Sequence, residues 1–105
     1  MQIDEIYEAL KRQNLCQSGH DFSRNYLGKH HSYLSVIKAR GDTPSIEAWA
    51  MLSYVLKSRA QSFASSDNEF IQGAAARLSE LQRAAAENVM LKCAARNRRN
   101  QGQNR

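Results

Sequence analysis

The sequence predicts an all-α protein: a small helical bundle, then one long C-terminal helix and a basic tail. Three observations carry this. The chain has a single proline in 105 residues, and proline is the residue a helix interior excludes. Apolar residues recur every three or four positions through most of the chain, the period of one helix face. Alanine, the strongest helix former, is abundant toward the C-terminus. The length allows one modest core and not two independent domains. The expected organisation is a bundle over residues 1–64, a long helix over 65–96 and a flexible basic tail over 97–105.

The elements follow in order. Ile3, Ile6, Tyr7 and Leu10 fall at helical spacing, with Asp4, Glu5 and Glu8 early and Lys11 and Arg12 late, an order that complements the helix dipole. This helix should end near Gln13 or Asn14, with Leu15 and Cys16 tucked beneath the domain. Ser18 is placed to cap a second helix, with Asp21 three residues on returning a bond to the cap's own N–H. Phe22 and Tyr26 share its inner face, and Gly28 supplies the permissive backbone that stops it. A third helix is expected from about His30 or His31, with Leu34 and Ile37 inward and His31, Ser32, Tyr33, Ser35 and Val36 outward.

Thr43 as cap and Pro44 at the first helical position mark a fourth helix. Its stripe is Ile46, Trp49, Ala50, Leu52, Ser53 and Leu56, with Trp49 as a core anchor. Ser65 and Ser66 break the pattern, and Ser66 with Glu69 reads as a second capping box. The long helix that follows has a seam at Ile71, Ala74, Leu78, Leu81, Ala85 and Asn88, an alanine-rich coiled-coil pattern. So narrow a face must pack on its own domain or on a second copy. The preferred expectation is a homodimer paired through Ile71, Ala74, Leu78, Leu81 and Ala85.

The stretch SGHDFSRNYLGKHHSYLSVIKARGDTPSIEAWAML, Ser18 to Leu52, has the layout of a helix, a glycine-containing turn and a second helix. Ser18, Phe22, Leu27–Gly28, Leu34, Ile37, Gly41, Pro44–Ser45, Trp49 and Leu52 occupy places that make the segment similar to the Cro/C1-type (XRE-like) helix-turn-helix family. It departs from that pattern at Ser23, where alanine is common, at Lys29, where an apolar residue is usual, and at Gly41, one residue late relative to Ile37. The resemblance implies a helix-turn-helix bundle whose third helix reads the major groove of double-stranded DNA.

Charge agrees in sign. No acid lies between Asp21 and Asp42, whereas Arg24, Lys29, Lys38 and Arg40 do, as a phosphate backbone selects. The expected DNA-binding set is therefore Arg24, Lys29, Lys38 and Arg40 on phosphates, with His31, Ser32, Tyr33, Ser35 and Val36 toward base edges. The net charge is +5, yet ten basic and ten acidic residues balance up to position 91. Lys92, Arg96, Arg98, Arg99 and Arg105 supply the excess, and the last acid is Glu87.

Several classes are disfavoured. No P-loop, dinucleotide fingerprint or nucleophile elbow is present, so no enzyme and no cofactor are expected. Cys16, His20, His30 and His31 match no closed tetrahedral motif, so no metal is expected either. Nothing approaches the ~20 apolar residues of a membrane span. The opening MQIDEIYEAL carries acids where a signal peptide carries lysines, and Cys16 and Cys93 form no paired motif; a cytoplasmic protein with reduced thiols is expected. The leading expectation is a dimeric, sequence-specific DNA-binding transcriptional regulator. The rival is a small helical protein-interaction module, a regulator or inhibitor encoded by a phage or other mobile element, acting on a partner protein.

Overall fold

The computed structural model describes residues 1–103, with side chains through Gln101, and is all-helical, with no strand among the described residues. α1 spans Ile3–Arg12 and opens with the Gln2 N–H donating to Glu5 Oε1 at 3.1 Å. Its apolar face buries Ile3, Ile6, Ala9 and Leu10, and the chain then drops Cys16 into the core with Leu15 half-buried beside it.

α2 begins as the short α-helix Gly19–Asp21 and continues as a π-helical turn, Phe22–Tyr26. Ser18 caps it, its Oγ accepting from the Asp21 N–H at 3.1 Å. The expected return bond differs. Asp21 Oδ2 accepts from Gln17 N–H at 2.9 Å, one residue upstream of the cap, while Oδ1 accepts from Asn25. Phe22, Ser23, Tyr26 and Leu27 are all fully enclosed. The Tyr26 hydroxyl donates to the Leu15 carbonyl, and the Arg59 guanidinium lies over its ring at 4.7 Å. Gly28, at φ +63°, turns the chain, a conformation in which a Cβ is penalised.

α3 is Tyr33–Arg40, starting two to three residues later than expected. The delay has a local cause. His30 Nδ1 lies 2.9 Å from Ser32 Oγ and accepts from the Ser32 N–H, so residues 30–32 form a side-chain-stabilised turn instead of a first helical turn. Gly41, at φ +66°, ends α3, and the Asp42 N–H closes on the Ile37 carbonyl at 2.8 Å.

α4 is Ile46–Ala64. Its cap is Ser45, whose Oγ accepts from the Ala48 N–H, and not Thr43; Pro44 is buried just ahead of the cap. Thr43 Oγ1 is taken by Lys92 Nζ at 2.8 Å. Trp49 is 3% exposed and anchors the core with Leu52 and Leu56.

α5 is Glu69–Gln103. The serine turn before it differs in detail from the expected capping box. Ser66 Oγ accepts from Asn68 N–H, and Asn68 Oδ1 accepts from Phe70 N–H, so asparagine performs the capping. α5 runs antiparallel to α4. Gln82 Nε2 donates to Ser53 Oγ at 3.0 Å, Asn88 donates to the Met1 carbonyl, and Lys92 reaches Thr43. The helix continues through the segment expected to be a tail, and residues 104–105 of that tail lie outside the described residues. Among the described residues, no helix is long and apolar enough to cross a membrane.

The seam expected to pair two chains has a different occupant. Leu78, Leu81 and Ala85 are fully enclosed within the chain's own core, together with Leu52, Leu56 and Trp49. In this fold a second copy has no access to them. Ile71, 38% exposed, and half-buried Ala74 are the only seam positions of that set left on the surface. Periodicity reports that a face must be covered; here the antiparallel α4 covers it.

Candidate nucleic-acid interface

α3 is short, and its first turn is fixed by its surroundings. At its start the enclosed Ser23 hydroxyl accepts from the Leu34 N–H at 3.1 Å, a cap supplied from inside α2. The Lys29 N–H closes the same junction on the Ser23 carbonyl at 2.9 Å. From the same end the Tyr33 hydroxyl accepts from the Ser45 N–H at 3.0 Å, tying the first residue of α3 to the start of α4. Leu34 and Ile37 fill the core beneath it. The result is a small helix presented on a fixed platform.

The helix's outer side carries short side chains. With Leu34 and Ile37 inward, 3.6-residue periodicity turns Ser32, Ser35, Val36 and Ala39 away from the core. Ser35, Val36 and Ala39 are exposed and Ser32 is half-buried. Their hydroxyls are partly engaged: Ser35 Oγ donates to the Ser32 carbonyl, and Ser32 Oγ pairs with His30. Each hydroxyl keeps hydrogen-bonding capacity toward a further partner. Ala39, at the centre of this face, was not singled out from the sequence; the wheel of a helix with Leu34 and Ile37 inward contains that signal.

The cations form a rim around it. Arg24 and Arg40 are exposed, and half-buried Lys29 holds its ammonium 5.7 Å from the Tyr33 ring centre. Lys38 is exposed but pairs with Asp4 across the α1–α3 boundary at 3.4 Å. An exposed pair of this kind contributes about 0–1 kcal/mol, so a competing anion can take the lysine. Tyr33 departs from the outward placement expected of it. Half-buried and bonded to Ser45, it positions α3 and does not project from it.

His31 has company that its position in the sequence did not suggest. Its ring stands edge-on to His20 at 4.7 Å and lies 4.1 Å from His30. Partial desolvation, then His30, His20 and Arg24, hold the His31 imidazole below its ordinary range. The histidines sit where α2 begins and where the turn enters α3. His20, His31, Ser35 and Lys38 line a shallow cleft of about 200 Å³. Cys16 takes no part in this cluster: its Sγ donates to the Ser18 carbonyl, and burial pushes the thiol up to about 11.

Taken together, this surface can offer an anionic polymer charge, hydroxyls and a narrow helix edge. No curated protein and no solved structure matches the chain. The model described as "Family of unknown function (DUF6626)" matches residues 3–99, from the first residue of α1 to Arg99 near the end of α5, and the chain belongs to that family.

Proposed function

We propose that this protein binds double-stranded DNA through α3 as a sequence-specific transcriptional regulator of the Cro/C1-like helix-turn-helix type. The observation that carries the reading is the set of cations Arg24, Lys29 and Arg40, in a stretch of sequence without acids, around a short, exposed helix fixed at its first turn. A major groove about 12 Å wide admits one α-helix, and the small Ser35 and Ala39 side chains leave room for a close approach. Arg24, Lys29, Lys38 and Arg40 meet phosphates; Ser32, Ser35 and Val36 face base edges, with Val36 suited to a thymine methyl. His31 at the helix entrance adds charge as pH falls. Two such readers on a two-fold operator would need a pairing surface other than Leu78, Leu81 and Ala85; the adjacent Met90 and Leu91, 70% and 60% exposed, are apolar positions of α5 outside the core.

One feature favours the second reading, a protein-interaction module: Phe70, Tyr54, Met90 and Leu91 are 92%, 69%, 70% and 60% exposed. Binding selection from a random duplex library, followed by mobility shift, separates the two. A DNA reader returns an enriched motif, and Arg24→Ala with Arg40→Ala weakens binding to all duplexes and flattens the log–log salt slope by about 2. Absence of enrichment together with unchanged affinity in the double variant rules out this DNA face.

A further inference from the structure

We infer that the end of α5 is a second phosphate-contacting element, a basic helical arm that continues the α3 surface along the backbone of duplex DNA. The inference rests on the DNA-binding reading and adds to it a partner surface outside the helix-turn-helix.

Register places the arm beyond the domain. Lys92 meets Thr43, which precedes the first residue of α4, so α5 past Lys92 runs beyond the start of α4. At 1.5 Å per residue, the run from Cys93 to Gln103 is about 16 Å long. Arg96, Arg98 and Arg99 on it are exposed.

The arm is a run of cations with no acid of its own. Glu87 is the last acid, and Lys92, Arg96, Arg98 and Arg99 follow it. Lys92–Arg96 and Arg96–Arg99 stand at four- and three-residue spacing, where like charges destabilise an isolated helix. Favourable interaction with the helix C-terminus offsets part of this, but only within the last turn. An anionic surface relieves the rest. The match to the family over residues 3–99 spans Arg96, Arg98 and Arg99.

Placement connects the arm to α3. Lys38, Gly41, Asp42 and Thr43 line one cleft of about 470 Å³ with Lys92, so α5 leaves the bundle beside the end of α3. On the other side Glu47, in the first turn of α4, feels both Arg96 and Lys29, and its carboxyl is held low by its own backbone N–H and, to a lesser extent, by these two cations. Arg96 and Lys29 therefore share one neighbourhood around Glu47, which sets the arm beside the cationic rim of α3.

The test is a salt titration of full-length protein on duplex DNA, comparing wild type, the arm triple R96A/R98A/R99A, its charge-keeping counterpart R96K/R98K/R99K, and R24A/R40A. The expected result is a loss of roughly tenfold or more for the arm triple at low salt, equal on all duplexes, with the log–log slope flattened by about 2–3. The lysine triple retains the slope. The thermal midpoint of the alanine triple stays at the wild-type value, since the arm lies outside the core. An alanine triple with wild-type affinity and slope overturns the arm while R24A/R40A still judges the α3 face. A wild type that binds no duplex overturns both. Capture by phosphatidylserine vesicles that depends on the arginines, with duplex binding unaffected by them, assigns the arm to a membrane surface and overturns the DNA assignment.

Discussion

Removing one oxygen atom tests how α3 is held. Ser23→Ala deletes the hydroxyl that accepts from the Leu34 N–H at 3.1 Å. Both residues are enclosed, Ser23 at 0% and Leu34 at 4% exposure, so water does not readily replace the lost acceptor. A buried donor left unpaired costs about 1–3 kcal/mol, and losing a helix cap costs about 0.5–2 kcal/mol. These are two descriptions of one bond and do not add; about 1–2 kcal/mol is the expectation. The alanine methyl fits within the serine's volume, so no steric term opposes it. With a urea m-value of about 1–2 kcal/mol/M for a small protein, the midpoint falls by about 1 M while m is unchanged. Hydrogen exchange at the Leu34 amide accelerates more than at Leu52, which lies in the middle of α4. A midpoint within error of wild type, with Leu34 exchange unchanged, would refute the cap. The substitution is pointed because alanine is the common residue at this place in the family the segment resembles.

Leu78→Asp with Leu81→Asp places two carboxylates in the enclosed core, a cost comparable to the ~5–15 kcal/mol stability of a whole domain; circular dichroism should show loss of the cooperative transition, and a variant melting like wild type would contradict the α4–α5 packing. Iodoacetamide at pH 8 should add one label to the native protein, at exposed Cys93, and a second only in urea, because Cys16 is 3% exposed and its thiol is raised to about 11; intact mass reads the outcome, and equal labelling rates would place Cys16 at the surface. The Gln17 N–H and Asn25 hold Asp21 below its ordinary value of 3.8, so its stabilisation is present above that value and lost as pH falls through the lower folded value. Urea midpoints of wild type and Asp21→Ala should accordingly differ at pH 6 and converge toward pH 2, whereas a gap independent of pH would remove the charged cap from the account.

The sequence was most legible where structure is local. Ile3, Ile6 and Leu10 set α1 by spacing alone, Ser18 announced the cap of α2, and Gly28 and Gly41 marked two left-handed turns. Trp49 could be placed inside because it lies at the centre of a stripe. What escaped involves partners distant in the chain or competing partners nearby. Nothing adjacent to Ser23 indicates that its hydroxyl serves Leu34, eleven residues on. Thr43 and Ser45 are equally good caps by type, and Lys92, far along the chain, engages the threonine. His30 and Ser32 bond each other and delay α3. At the candidate interface the cations and the outward positions of α3 were readable, while the inward tie of Tyr33 and the approach of His20 depend on tertiary placement.

The junction between α4 and α5 has a further consequence, one of connectivity. Leu78, Leu81 and Ala85 fill a groove that begins only a short turn, Ser65–Asn68, away from their own helix. The groove itself does not distinguish its own α5 from an identical one supplied by another molecule. A short tether confers an effective concentration in the millimolar range, which favours the closed single chain at ordinary dilution. A turn shortened until it could no longer reverse direction would withdraw that advantage, and exchange of α5 between two molecules would then satisfy the same core. The length of four residues, and not the chemistry of the seam, thus sets whether these leucines hold one chain closed or two chains together.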